Sequence, residues 1–274
     1  MKIQFWFFIT LIFLIAGCQK QDSGKPASDG SPKRFDPSKS DAEAIRTADE
    51  IMVALGGREN YDAVQYLSFH FIVARGEMHL TDWRHDWDRR QNNYRLEGKT
   101  REGDHLLAFF NLDTQSGTVF MNGQMAEGED KVQWLGRAYA RYINDTYWLL
   151  MPYKLKDPGA ILKYEGMQEI SNAQYDVLRL QFEEGIGLTP QNVYRIFVDP
   201  ATRLVNRWEY FESEDANPSP AWWENWRAYE GIKLADQRVF ENSDRKLLFT
   251  NIVASRQVDD KVFEISSIST AKIP

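Results

Sequence analysis

Residues 174–212 read QYDVLRLQFEEGIGLTPQNVYRIFVDPATRLVNRWEYFE and hold three apolar-rich runs in succession. In the first, Leu178, Leu180 and Phe182 recur at a period of two, which gives a strand one buried face. The second, residues 192–198, is β-branched and aromatic at both parities. The third puts Leu204, Trp208 and Tyr210 on one face and Arg207 and Glu209 on the other. Between the second and third, Asp199-Pro200-Ala201-Thr202 reads as a turn. Pro200 presets φ there, and the Asp199 carboxylate can accept hydrogen bonds from the backbone ahead of it. The stretch predicts a meander of antiparallel strands that the rest of the chain extends or covers.

Downstream, residues 213–220 form a loop with two prolines, and 222–229, 232–240, 246–256 and 263–268 are expected strands. Upstream, 161–170 is a further strand. Residues 132–150 change period: Leu135, Tyr139, Tyr142, Thr146 and Leu150 recur at three and four, which predicts a helix with an aromatic stripe. Met151-Pro152 ends it, because the residue before proline is steered out of the α region. Nearer the N-terminus, strands are expected at 66–74, 77–83, 93–99, 105–112 and 118–121, with Asn122-Gly123 as a tight turn. A first helix is expected over 42–55, with Ser40 or Asp41 as N-cap, Glu43 completing a capping box, and Gly56-Gly57 at the end. These elements make a mainly β chain with two covering helices.

Hydrophobic residues are 43% of the 274-residue chain and aromatics 14%, enough for a large β-rich core. The formal charge of -7, with signs mixed along the chain, argues against nucleic acid as a partner. Cys18 is the sole cysteine, so no disulfide forms within the chain. Residues 1–17 (MKIQFWFFITLIFLIAG) carry an early Lys and then an apolar run. That run is short of the ~20 residues a spanning helix needs and fits the core of a secretory signal. Leu14-Ile15-Ala16-Gly17-Cys18 resembles a bacterial lipobox, which implies a lipidated, palmitate-bearing Cys18 as the mature first residue. Gln19 after it, rather than Asp, implies the outer membrane of a Gram-negative cell. A plain membrane anchor with an incidental cysteine is the other reading. Residues 18–40 are Ser, Pro, Gly, Lys and Asp with one aromatic, a tether spanning on the order of 25 Å. Residues 41–274 are then expected to form a single domain.

The order tether, helix, strands, aromatic helix, strands resembles the LolA/LolB-like superfamily of periplasmic lipoprotein carriers and outer-membrane lipoprotein-sorting proteins. Three stretches carry the resemblance: 147–159 (YWLLMPYKLKDPG), 175–182 (YDVLRLQF) and 194–208 (YRIFVDPATRLVNRW). It implies an α+β fold: a curved antiparallel sheet, or incomplete β-barrel, with lid helices over an apolar hollow that accepts acyl chains. No carrier residue is transferable position by position. A soluble shuttle carries no anchor, so an anchored acceptor, or a further branch of the superfamily, fits this chain better.

Catalytic and metal chemistry find little footing. His79, Asp82, His85, Asp86 and Asp88 cluster within 78–89, but their spacing matches no zinc motif and Arg84, Arg89 and Arg90 lie among them. A charged strand end and loop is expected there. There is no G-x-S-x-G elbow, Gly185-Ile186-Gly187 lacks the rest of a dinucleotide fingerprint, and Glu183-Glu184, Glu212 and Glu214 read as solvated strand-end carboxylates. The expectation is therefore no enzyme and no cofactor. The aromatics carry more weight. Trp134, Leu135, Tyr139, Tyr142, Trp148, Trp208 and Trp226 are the candidate lining of a hydrophobic ligand site for an acyl chain, lipid or lipoprotein. The competing expectation is that these rings fill the core of a non-catalytic envelope interaction module. A periplasmic hydrolase is the third reading.

Overall fold

The computed structural model describes residues 34–265 except Asn242. The expected signal segment, Cys18, most of the tether and the last residues of the expected final strand lie outside those residues.

Helix α1 (Ala42–Ala54) and a short α2 (Arg58–Ala63) precede strands β1 (Tyr66–Arg75), β2 (Met78–Asp88), β3 (Asn93–Lys99), β4 (His105–Asn111), β5 (Gly117–Met121) and β6 (Gln124–Met125). Helix α3 (Gly128–Leu150) follows. Then come β7 (Ala160–Ile170), β8 (Ala173–Phe182), β9 (Val193–Val198), β10 (Val205–Phe211), β11 (Ser219–Tyr229), β12 (Ile232–Phe240) and β13 (Arg245–Ser255). The strands form one antiparallel sheet of order β6-β5-β4-β3-β2-β1-β13-β12-β11-β10-β9-β8-β7. Each half is a meander, β13 returns to pair with β1, and α3 carries the chain from one edge to the other.

The sheet is strongly curved, and the ring contacts of α3 show it. Tyr142 packs at 4.9 Å on Tyr94 of β3, while Tyr147 packs at 5.7 Å on Tyr194 of β9. Five helical residues rise about 7.5 Å. The seven strand spacings from β3 to β9 would measure about 34 Å on a flat sheet. One short piece of helix touches both because the strands curl around it. This is the open, incomplete barrel with covering helices that the resemblance implies.

The opening meander keeps its predicted parity. Leu178, Leu180, Tyr194, Ile196 and Trp208 belong to the core beneath α1 and α3. Val177 and Phe197 face the other way with Tyr175. On that convex side Arg207 and Arg195 lie over the Phe197 ring at 4.7 and 5.4 Å. Both pair with Glu209, at 2.8 and 2.9 Å. The Asp199 carboxylate accepts from Ala201 N and Thr202 N, each at 2.8 Å, as the turn reading requires.

Three expectations need correction, and one element went unpredicted. Ser40 and Asp41 form no capping box, for Asp41 is the N-cap of α1 without a side-chain cap bond. Both serve β7 instead: Leu162 N donates to Ser40 Oγ at 2.9 Å and Tyr164 N to Asp41 Oδ2 at 3.0 Å. The strand expected over 77–83 runs on to Asp88, because β1 and β3 pair with it on both sides and neutralise its charges. Residues 58–63 form the unpredicted α2, whose single turn and a half is too short to show a period. Asp260–Phe263 is a 3-10 turn where a strand was expected to begin.

Candidate functional site

The candidate site is the interface between α3 and the concave face. Ala138, Tyr142, Asp145 and Leu149 follow helical spacing and aim one stripe of α3 at the sheet. Six of the seven residues singled out above lie at this interface, in two groups, and Trp226 joins the second group through Trp223. Trp134, Leu135, Tyr139 and Tyr142 are half-buried over Trp83, Tyr94, Leu96 and Phe110 of β2–β4. Trp148, Trp208 and Trp226 belong to the group formed by β8–β12 and the C-terminal end of α3. Trp87 touches both groups.

In the second group the rings are in contact. Trp148 and Trp208 stand 4.2 Å apart edge to face, Tyr194 and Trp208 5.2 Å, and Trp208 and Trp223 5.4 Å. Trp226 stacks on Trp223 at 6.1 Å and donates from Nε1 to the Val205 carbonyl at 3.2 Å. Trp208 is 1% exposed, so this end of the interface is filled. Tyr147, Tyr194 and Trp223 complete it. Two hollows of about 590 and 580 Å³ lie elsewhere. One runs between α1 and Arg203, the other along His70, His79 and His105 on β1, β2 and β4.

The helix holds the sheet unevenly. From Gly128 to Asn144 only Ala138 is buried, and Val132 is 72% exposed. Among the last six residues Asp145, Thr146, Leu149 and Leu150 are all buried.

Two polar contacts cross the interface at that anchored end. Tyr94 Oη donates to His85 Nδ1 at 2.7 Å, and His85 Nε2 donates to Asp145 Oδ2 at 3.1 Å. Arg141 pairs with the same Asp145 oxygen at 3.2 Å, and Asn144 Nδ2 donates to Oδ1 at 2.7 Å. Burial pushes the His85 imidazole below its ordinary value, despite the Asp145 hydrogen bond, which fits the neutral tautomer just given. Burial alone would raise Asp145, but the His85 hydrogen bond and the Arg141 charge outweigh it and hold the carboxyl below the usual range. The second contact is Arg238 of β12, fully buried, whose Nη2 donates to the Trp148 carbonyl at 2.7 Å. Its Nη1 donates to the Ala235 and Gln237 carbonyls, each at 3.0 Å. Its guanidinium lies 3.5 Å from the Trp223 centroid and 4.9 Å from that of Phe249. Burial pushes its pKa well below that of an ordinary arginine. Arg238 Nε, Trp208 Nε1, Trp223 Nε1 and Tyr147 Oη are buried without a hydrogen-bond partner among the described residues, as are Trp83 Nε1 and Trp87 Nε1. Each such donor costs about 1–3 kcal/mol.

Asp145 and Arg238 were not among the sequence candidates, and His85 was weighed only as part of the 78–89 cluster, yet His85 and Arg238 each carry a positional signal. His85 alternates with Trp83 and Trp87, and Arg238 shares parity with Ile232, Leu234 and Phe240. A charge on the apolar parity of a strand is the mark of a buried polar contact. The clustered histidines and carboxylates of 78–89 do not converge. His85 faces α3, while Asp86 pairs with Arg95 at 3.2 Å and Asp82 with His70 at 2.7 Å. Among the described residues no three His, Cys, Asp or Glu side chains are placed to hold a metal. Glu183 and Glu214 pair with Lys39 and Arg179 at 2.9 and 2.7 Å rather than with each other.

No curated relative matches the chain in sequence. In structure the chain is similar to a DUF1329 family protein of Desulfovibrio piger, at 13% identity and TM-score 0.47, covering 82% of this chain and 98% of that one. It is also similar to an outer-membrane lipoprotein-sorting protein domain of Vibrio parahaemolyticus, at 8% identity and TM-score 0.45, over 82% and 98% of the two chains. A LolA superfamily protein of Nitrosomonas europaea is similar at 12% identity and TM-score 0.44, over 79% and 98%. A family model described as "Family of unknown function (DUF6503)" matches residues 125–263, a span that holds α3, β7–β13 and both Asp145 and Arg238. That match covers just over half of the sequence, and the chain belongs to the DUF6503 family.

Proposed function

We propose that this chain is a lipid-anchored envelope protein that takes a hydrophobic ligand, an acyl chain, a lipid or a lipoprotein, between its curved sheet and α3. In this reading residues 1–17 are a signal peptide, Cys18 carries the anchor in the outer membrane of a Gram-negative cell, 18–40 are the tether, and 41–274 are one binding domain. The observation that carries the ligand role is the uneven seating of α3. Its C-terminal turn is locked to the sheet, while Trp134, Leu135, Tyr139 and Tyr142 roof the apolar residues of β2–β4 only half-buried. A ligand that slid beneath that half would exchange water-exposed ring surface for apolar contact at about 25 cal/mol per Å². The chemistry is binding, with no bond made or broken and no cofactor.

The test is titration of the purified protein with a fluorescent fatty-acid analogue, beside the double variant Trp134→Ala, Tyr139→Ala. Saturable binding that the double variant weakens about tenfold or more is the expected result, on the scale of two lost aromatic contacts. No binding to the wild type would contradict it.

A second reading has its own observation. Ring centroids 4.2–5.4 Å apart around Trp208 leave the anchored end filled, as a non-catalytic interaction module of the envelope would have it. Under that reading the double variant changes stability and nothing binds.

A further inference from the structure

The unpaired donors near the C-terminal end of α3 share one neighbourhood. Arg238 lies on the Trp223 ring, Trp223 packs on Trp208, and Trp208 packs on Tyr147 at 6.5 Å. Arg238 Nε, Trp223 Nε1 and Trp208 Nε1 can only donate, and the Tyr147 hydroxyl donates as readily as it accepts. The missing chemistry is therefore an acceptor. The charge points the same way. Arg207 and Arg95, with side chains 5% and 14% exposed, each hold a carboxylate. Arg238 is 0% exposed and makes no ion pair among the described residues, the Asp236 carboxylate acting on it only through space while paired with Arg227 at 3.2 Å. Three carbonyls take three of its five N–H groups and leave one on Nε and one on Nη2. Those are the two nitrogens a carboxylate or phosphate grips side-on. Trp83 and Trp87 also leave an indole N–H unpaired, but there Arg141 already pairs with Asp145.

We propose that Arg238, with Trp208, Trp223 and Tyr147, forms a buried seat for the anionic head group, a carboxylate or a phosphate monoester, of a single-chain amphiphile. The inference rests on the reading of a ligand beneath α3 and names its chemical class. The surroundings suit the rest of such a molecule, since Phe182, Tyr194 and Phe240 supply apolar walls. The rings around Trp208 fill this end as it stands, so the seat requires Trp148, half-buried and 4.2 Å from Trp208, to swing out and make room for the head group. The tail then lies along α3 toward Tyr142, Tyr139 and Trp134. Water can satisfy single donors, but it brings no charge to the guanidinium, whereas an oxyanion supplies both charge and acceptors.

The experiment measures displacement of a fluorescent fatty-acid analogue from the purified full-length protein by dodecanoate, dodecyl phosphate and dodecanol. These share a tail and differ in head group. The expected result is that one anion displaces the probe at about one-tenth the concentration of dodecanol or less, the scale of a charge-assisted hydrogen-bond pair. Which anion does so separates a carboxylate from a phosphate ligand. Arg238→Met, which keeps the chain length, is expected to bring anion and alcohol within about threefold of each other. Tyr147→Phe removes one hydroxyl without opening a cavity and decides the matter if Arg238→Met does not fold; it is expected to reduce the preference about threefold. Equal displacement by all three in the wild type overturns the head-group seat and leaves the hydrophobic-ligand reading standing. Retention of the anion preference in Arg238→Met, or in Tyr147→Phe where that variant decides, overturns it equally. Failure of the probe itself to bind removes both.

Discussion

His85 shows how one side chain couples the sheet to its helix. It is 0% exposed, stacks on Phe69 at 4.6 Å, and spends both ring nitrogens on Tyr94 and Asp145. Its folded pKa lies below the ordinary 6.5, so between 6.5 and that lower value the unfolded chain binds the extra proton and the folded chain does not. Stability therefore rises with pH across that window and is lost as pH falls through it. Denaturant melts at pH 7.5 and 5.0 should show the wild type losing more stability on acidification than His85→Gln, which keeps one donor and one acceptor. Its partner is the more costly residue to remove. Asp145→Ala leaves the buried His85 N–H without its acceptor, and should lower unfolding free energy by about 1–3 kcal/mol. Gly56 is constrained by backbone alone. Its φ is +111° and an added Cβ would lie 2.1 Å from the Gly231 carbonyl oxygen, so Gly56→Ala should cost more than about 1 kcal/mol and lower Tm.

At the scale of the element, α3 is two helices in one. Its last turn and a half is core, with Leu149 at 1% exposure, whereas Val132 and its neighbours face water. Leu149→Ala should cost about 2–5 kcal/mol and Val132→Ala less than about 0.5 kcal/mol, measured by denaturant unfolding. Amide exchange should be faster over 129–137 than over 145–150. Much of this element was legible beforehand: the period of Leu135, Tyr139, Tyr142 and Thr146 marks both the helix and the stripe. The strands of 174–212 were legible for the same reason, since a period of two assigns each side chain to a face without knowledge of its partner. What could not be read is where the faces meet. The capping box at Ser40 and Glu43 is sound local chemistry, but a distant backbone, the edge of β7, claims Ser40 Oγ and Asp41 Oδ2. The charges of β2 suggested a loop because their partners, such as Arg95 across from Asp86, are set by cross-strand register, which a single strand's pattern does not reveal. Arg238 escaped notice because a strand pattern with one charged residue still scores as a strand.

At the scale of the whole fold, the thirteen-strand sheet of the described residues stays open with two edges, β6 and β7, and must keep both from pairing with other chains. Strand β6 is two residues long, and Ser40 and Asp41 cover the start of β7. The curl of the sheet follows from roofing so many strands with one helix of 23 residues, and it concentrates aromatic rings from β2 to β12 on a short length of α3. Seven of the aromatic and aliphatic residues involved were visible in the sequence, but their division into a filled group and a half-open group was not. That division depends on which end of α3 the sheet grips. The central claim, that the half-open end takes a hydrophobic guest, is tested most directly by native mass spectrometry of the full chain purified from membranes in mild detergent. The account predicts a species heavier than the protein's own covalent mass by that of one non-covalently bound lipid, lost on collisional activation. A spectrum holding only the covalent mass of the protein, unchanged after incubation with excess fatty acid, would contradict it.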